Sequence, residues 1–402
     1  MPQPTDRRFI PSFLFFSAAA AASVPYLPIL LRDLGYGPIR VGTLMGIFQG
    51  AGVLGPFLFG YWADRVGNYR PALLVAAALP AAVAFPLALL ANPVLSALCL
   101  VLLAFGIRSA ASLLDSVTTI RIGSSGNYGR IRVWGSVGFI MVALFLQVTP
   151  LLRPAGAPNI GIWIAVFALA SVVPVLRLPA AFLASSGDSP VRPVAGTGPS
   201  KKTGRASVPV LSAYVLGGLA MAFVNSFSMA ALYGYFPLYL TEVLRWDVVG
   251  LSFAIGTASE LPVIFLSSLL IYRFGPLPLL AVSTLGVAAR LAIWAFLPFK
   301  PLLLASHLLH ALCFGTFFPA FVHFAAGIFP PESRGRGMSL FVAAGIGLPS
   351  LLGTFVGGIV LEGRPGAAGF GLLFALYSGI AALGPLVYGA MRLRGKAGPA
   401  GK

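Results

Sequence analysis

The chain has 402 residues, of which only 9% are charged and 58% are apolar, with a mean hydropathy of +0.92. A soluble domain carries about 25% charged residues to clothe its surface, so this composition excludes a water-soluble globule and leaves lipid as the main solvent. The net charge of +17 is spread singly over many short loops instead of clustering on one face, which excludes nucleic acid as a partner.

A membrane-spanning helix needs about 20 mostly apolar residues. Reading apolar runs between polar or Pro/Gly breaks predicts twelve spans, at 9–31, 40–61, 71–91, 95–120, 133–152, 160–178, 209–241, 248–271, 277–298, 301–329, 338–361 and 370–391. Arg7-Arg8 before an Ala-rich apolar run resembles a secretory signal. The run is longer than a signal core and another span follows at once, so it is read as an uncleaved first span. The segment from Ala184 to Val208 is rich in Ser, Gly, Pro and Lys and too polar to span, and it reads as a flexible cytoplasmic linker. The expected organisation is a six-helix bundle over 1–178, a linker over 179–208 and a second six-helix bundle over 209–402. Cys99 and Cys313 sit far apart inside apolar runs, as buried thiols with neither disulfide nor metal spacing.

Lys and Arg are unequally divided between the two sides. If the N-terminus is cytoplasmic, 19 fall on that side, 6 on the other, and Arg108 and Arg290 lie within spans. That bias predicts both termini in the cytoplasm.

The halves repeat. Tyr26-Leu27-Pro28 matches Tyr235-Phe236-Pro237, Gly42 matches Gly250, Arg65-Val66-Gly67 matches Arg273-Phe274-Gly275, and Gly129-Arg130 matches Gly335-Arg336, at offsets between 206 and 209. Four matches in order point to duplicated six-span bundles related about the membrane normal. Gly42, Gly46 and Gly50 form one stripe in span two; Gly345, Gly353 and Gly357, with Pro349 between, form another in span eleven. Such stripes permit close backbone approach, for packing inside one half or for a smooth surface between halves.

The loop after span two reads Gly60-Tyr61-Trp62-Ala63-Asp64-Arg65-Val66-Gly67-Asn68-Tyr69-Arg70. It is similar to the signature of the major facilitator superfamily, with Gly60, Asp64, Arg65, Gly67 and Arg70 on its defining positions and Asn68 where a second basic residue usually stands. The resemblance implies that Asp64 and Arg65 belong to an inter-helix charge gate. Pro25-Tyr26-Leu27-Pro28 with Leu34-Gly35, the run Tyr128 to Gly138, and Ser259-Glu260-Leu261-Pro262 resemble the branch of phenylpropionate permease-like proteins, lactose permease relatives and nucleoside symporters. What this implies is an all-α membrane protein of twelve transmembrane helices in two pseudo-symmetric bundles, importing a solute with protons by alternating access.

Charged side chains inside spans are expensive, about +2.5 to +3.5 kcal/mol each at a helix centre. Arg108 and Asp115 in span four, Glu260 in span eight and Arg290 in span nine therefore point to a water-accessible central cavity. Arg108 and Asp115 are seven residues apart, on one face and about 10 Å apart along the axis; Glu260 and Arg290 are candidates to pair. Glu260 or Asp115 would carry the proton, and Arg108 and Arg290 would bind an anionic substrate group or neutralise the acids. His307 and His310 fall short of a metal site, for want of further ligands on their helix. His310 is a candidate proton relay, although the carboxylate that lactose permease has near its helix-ten histidine is missing from this helix. Tyr26, Asn225 and Tyr235 are candidate path-lining residues, with Ser226, Ser228, Tyr233 and Tyr239 also polar in span seven.

The reading is a secondary transporter of a small organic solute, monomeric, in the cell inner membrane, with a small-molecule substrate, protons and the lipid bilayer as its partners and no cofactor or metal. Efflux by proton antiport and a non-transporting receptor or assembly factor on the same fold are the alternatives. No P-loop for ATP, no His-Glu-x-x-His and no Gly-x-Ser-x-Gly occurs, which argues against ATP-driven transport and against an enzyme.

Overall fold

The computed structural model describes residues 6–122, 128–149, 156–183, 212–329 and 334–395. These residues form twelve apolar helices long enough to cross a membrane. Spans 1 to 6 are Arg7–Asp33, Pro38–Val66, Tyr69–Leu89, Pro93–Arg121, Tyr128–Val148 and Ala157–Arg177. Spans 7 to 12 are Ala213–Val243, Val249–Phe274, Pro276–Phe296, Lys300–Ala326, Gly337–Gly363 and Ala367–Leu393. Each sequence-derived span overlaps one of these helices. The predicted linker lies almost wholly outside the described residues; its first part holds a short helix, Ala180–Leu183.

Burial inverts the soluble pattern. On span 9, Ser283, Thr284 and Arg290 are buried while Leu285 is 56% exposed. Leu98, Leu169, Leu216 and Leu386 are likewise exposed on other spans. In water such faces would drive association; in hydrocarbon they are solvated, and packing rather than hydrophobicity holds the helices together.

Spans 1 to 6 pack on one another, as do spans 7 to 12, and the halves meet through spans 2 and 11 and spans 5 and 8. The repeat predicted from sequence reappears in the backbone, since spans 2 and 8 both stop at a glycine of positive φ, Gly67 (69°) and Gly275 (78°). Only glycine adopts that turn without strain. Close approaches between the halves obey the same repeat. A side chain on Gly42 would strike the Thr354 carbonyl and the Tyr235 hydroxyl; one on Gly250 would strike the Ala143 carbonyl and the Tyr26 hydroxyl. Each tyrosine thus sits against the glycine that opens the other half's second helix.

The span 2 stripe faces span 11 across the interface: Gly46 lies against Thr354 and Leu351, and Gly50 against Leu351. The span 11 stripe does something else. Gly353 packs on Phe227 and Gly357 on Tyr235, within their own half. Of the two readings the spacing allowed, each stripe takes a different one.

Hydrogen bonds reinforce this end of the molecule, where the connections from span 1 to 2 and from span 7 to 8 lie. Arg32 Nε donates to Glu242 Oε1 at 2.6 Å and Nη2 to Oε2 at 3.4 Å. Gln147 of span 5 clasps the start of span 8, donating to the Asp247 carbonyl at 2.7 Å and accepting from Leu251 N–H at 3.1 Å. A cavity of about 290 Å³, lined by Tyr26, Leu146, Thr241, Arg245 and Trp246 among others, lies at the same end, and its lining includes none of Arg108, Asp115, Glu260 and Arg290.

Gly42→Leu is expected to wedge spans 2 and 11 apart. Spin labels at the exposed positions Arg40 and Arg364, one on each half, should then show a distance distribution moved to longer values. An unchanged distribution would contradict the close approach described.

Candidate functional site

Halfway through the bilayer the second half holds a chain of polar side chains. Span 10 is irregular there: Ser306–Leu309 is a tight 3-10 turn and Ala311–Thr316 a wide π turn. In a 3-10 turn, side chains three apart eclipse one another, so His307 and His310 point the same way, toward span 9. Arg290 meets both, Nη1 to His310 Nδ1 at 3.0 Å and Nη2 to His307 Nδ1 at 2.6 Å. Its guanidinium also lies over the Trp294 ring at 4.9 Å, and Trp294 is fixed by stacking on Phe236 at 4.0 Å and donating to Ser306 Oγ at 2.8 Å.

A guanidinium has only donors. Both Nδ1 atoms must therefore accept, which makes each histidine the neutral tautomer carrying hydrogen on Nε2. For His310 that hydrogen points at Glu260 Oε1, 3.0 Å away. The result is a relay, Glu260 carboxylate to His310 to Arg290, in which a neutral imidazole joins two opposite charges. Glu260 and Arg290, candidates for a direct pair in the sequence, are joined through His310 instead. The carboxylate missing from span 10 is supplied by span 8. His307 Nε2 and Arg290 Nε have no hydrogen-bond partner among the described residues.

Opposite this chain, in the first half, Arg108 is exposed although it lies midway along span 4. Its Nη2 donates to Gln49 Oε1 of span 2 at 3.3 Å, and its stem passes over Gly52. Tyr233 of span 7 is half-buried and near enough for the charges of Glu260, Arg290 and, from the other half, Arg108 to act on it. Tyr233 also contacts the His310 ring at 6.5 Å between centroids.

The other candidates lie elsewhere. Asp115 is matched by neighbours in span 5, accepting from Tyr128 at 2.8 Å and facing Arg132 Nε at 3.1 Å, and not by Arg108. Asn225 is buried and donates to Ser283 at 3.0 Å, while Ser228 bonds the Tyr377 carbonyl, so both tie span 7 to its own bundle. Tyr235 donates to the Thr354 carbonyl, and Tyr26 sits at the interface end described above. In the signature loop, Gly60 is half-buried and Gly67 ends span 2. Asn68 caps span 3 by accepting from Arg70 N–H at 2.9 Å, and Arg70 reaches the Leu176 carbonyl. Asp64 accepts from Tyr69 at 2.9 Å, and Arg65 leans on Tyr61 at 3.5 Å. Both partners come from the first half, next to the loop itself.

Sequence reasoning passed over Gln49, Arg132 and Gln147. Gln49 stands beside the glycine stripe of span 2, a signal that a polar residue on a close-packing face would have offered. Arg132 was counted with the loop charges, because the fifth span begins five residues earlier than its hydropathy suggests.

The family model described as "MFS_1 like family" matches residues 10–370. The maltose permease of Geobacillus stearothermophilus is 27% identical over 353 residues, covering 87% of this chain and 86% of that protein. The uncharacterized transporter YwbF of Bacillus subtilis (strain 168) is 26% identical over 272 residues, 63% of each. Among solved structures, the nucleoside transporter NupG superposes with a TM-score of 0.72 at 18% identity, covering 97% of this chain and 99% of that one. A D-xylose-proton symporter superposes with a TM-score of 0.66 at 17% identity, covering 95% of each.

Removing one partner of a buried charge pair strands the other and costs about 3–5 kcal/mol. Arg290→Gln and Glu260→Gln should each lower the thermal unfolding midpoint in detergent, and the double variant should lose much less than the sum of the two single losses. Additive losses would show that the relay carries no coupling.

Proposed function

Because the chain belongs to the MFS_1 like family, within the major facilitator superfamily, we propose that it moves a small organic solute by proton-coupled symport, through alternating access. It is a multi-pass membrane transporter. The observation that carries the finer reading is the Glu260–His310–Arg290 relay, which stands at mid-depth beside Tyr233 and opposite Arg108 of the other half.

In this mechanism the solute binds between the halves, against Arg108 and Tyr233, and Glu260 takes the proton. When Glu260 is charged, its oxygen holds the His310 Nε2 hydrogen, and His310 Nδ1 holds Arg290. A proton on Glu260 removes the charge that orients this arrangement, so that loading changes the packing of spans 8, 9 and 10 on one another. Rocking of one bundle on the other would then be permitted only with Glu260 protonated or with the site empty. Three features support rocking about the described interface: the repeated glycine–tyrosine contacts, the absence of side chains on the span 2 stripe, and the Gln147 clasp on span 8.

The Lys and Arg bias supports an inner-membrane protein with both termini in the cytoplasm. In that orientation the described inter-half contacts seal the outer face, and the solute path opens inward. Asp64 and Arg65, engaged with Tyr69 and Tyr61 beside them, are then an inner gate in its unlatched form. Two six-span units, 1–178 and 209–402 with a linker over 179–208, serve as the moving bodies, and the binding cleft lies within one chain, which favours a monomer. The printed names of the neighbours, maltose permease, nucleoside transporter and D-xylose-proton symporter, favour a solute of sugar or nucleoside size and, for the last, a proton as the coupling ion.

The decisive measurement is uptake into proteoliposomes under an imposed pH gradient, with a panel of aromatic acids, sugars and nucleosides. Glu260→Gln should abolish accumulation driven by the gradient while leaving solute exchange across the membrane. Gradient-driven accumulation that survives this substitution intact would remove Glu260 from the coupling role.

A further inference from the structure

Two arginines lie well inside the spans, and they are in opposite situations. Arg290 is 2% exposed, held by two histidines and balanced by Glu260 through His310. Arg108 is exposed, makes a single hydrogen bond to an amide oxygen, and has no carboxylate partner among the described residues. Two other arginines of the spans are paired with carboxylates: Arg132 faces Asp115, and Arg32 faces Glu242. Arg108 is an intramembrane cation left open.

The hydroxyl of Tyr233 is open as well, with no hydrogen-bond partner among the described residues, and it lies near enough to Arg108 to feel its charge. Two groups able to donate hydrogen bonds, one of them cationic, thus come from opposite halves, close enough for the charge of one to act on the other. Counting charges there, Glu260 cancels Arg290, both histidines are neutral by the tautomer argument, and Arg108 leaves one positive charge over. Gln49 occupies one N–H of a fork that has five. A carboxylate takes two parallel N–H groups of such a fork and gains orientation as well as energy, whereas a neutral hydroxyl would leave the charge without a counterion.

We infer that the transported solute is a monoanion whose carboxylate seats between the Arg108 guanidinium and the Tyr233 hydroxyl, an inference that rests on the transporter reading above. Gln49 is the positioning residue that fixes the plane of the fork. Gly52 leaves room for the arginine stem, since even a methyl group there would come within 3.1 Å of Arg108 Cγ. Seated there, the anion ties the first half to span 7 of the second, which is what a solute must do to draw two rocking bundles together.

The test is equilibrium binding to the purified full-length chain in detergent, by calorimetry, without any gradient. The probes are charged and neutral pairs of one shape: benzoate and benzamide, nicotinate and nicotinamide, glucuronate and glucose. At least one acid should bind about tenfold more tightly than its neutral partner. Arg108→Gln should erase that preference, and because Arg108 is exposed with one hydrogen bond, the change strands no buried group. Arg108→Lys should keep the preference for the acid at reduced affinity, and Tyr233→Phe should weaken the acid several-fold. Three results overturn the inference: no acid binding at tens of millimolar, neutral partners bound as tightly as acids in every pair, or a preference that persists in Arg108→Gln. Binding of the acid with no gradient-driven accumulation would refute proton coupling alone. Accumulation of a neutral solute with no acid preference would refute the carboxylate assignment alone.

Discussion

A guanidinium at the middle of a bilayer must have acceptors on every side or water within reach, and the architecture of this chain follows from how it meets that demand twice. Arg290 is given acceptors: two imidazole nitrogens, the face of Trp294, and a carboxylate one residue removed. Arg108 is left exposed, with one hydrogen bond to Gln49. The first solution requires a span whose backbone departs from regular α geometry, because His307 and His310 would diverge by about 60° on an ideal helix. The tight turn at Ser306–Leu309 brings them into line, and the π turn that follows restores the face on which Cys313 and Phe317 pack inside the bundle. Irregular backbone in a membrane helix is tolerated where it is enclosed by protein, which is where this one lies.

The contacts between halves have a different character. They use almost no charge; the exposed Arg32–Glu242 pair is of a kind worth about 0–1 kcal/mol. What joins the halves is backbone brought close to backbone at glycines, with a tyrosine hydroxyl and a carbonyl in each contact. Such surfaces interlock well in one arrangement but hold no strong electrostatic bond that would have to be broken on separation. The strong polar interactions are kept inside the second bundle, where they fix the relative positions of spans 8, 9 and 10, and in the Asp115–Arg132–Tyr128 cluster inside the first. Rigid bundles with a weakly bonded seam are the combination that rigid-body rocking needs.

Most of this fold was legible in the sequence because hydropathy acts residue by residue: twelve runs of about twenty apolar residues leave few other arrangements in lipid. The repeat was legible for the same reason that it is structural, since Gly67 and Gly275 are required by positive φ and Gly42 and Gly250 by contact with a tyrosine from the other half. The pairing of charges was only half legible. Sequence distance suggested Arg108 with Asp115 and Arg290 with Glu260, but partners in a bundle are chosen by which faces meet. Asp115 meets span 5, and the span that carries Glu260 meets span 10 before it meets span 9. Nothing in the linear pattern of His307 and His310 distinguishes a regular helix, which would splay them, from the tight turn that aligns them. Polar residues in span 7 were equally ambiguous. Asn225 and Ser228 bond spans 9 and 12 while Tyr233 lies against Phe253 and the His310 ring, and a difference of a few residues decides which.

That ambiguity resolves once the two arginines are compared, because a buried charge and an open charge answer to different constraints. Arg290 is held by two histidines in the absence of any solute, so a ligand competing for it would have to displace them and disturb Glu260. Arg108 asks nothing of its surroundings beyond Gln49, and a ligand that reaches it displaces only water. A protein that needed both arginines for structure would have paired both, as it pairs Arg132. Leaving one without a carboxylate at mid-depth, near Tyr233 and a relay whose charges already cancel, makes this region electropositive by a single charge. The relay then has the second task of keeping that excess at one: were His310 to hold a proton of its own, its Nδ1 could no longer accept from Arg290, and the two cations would repel within the same cluster.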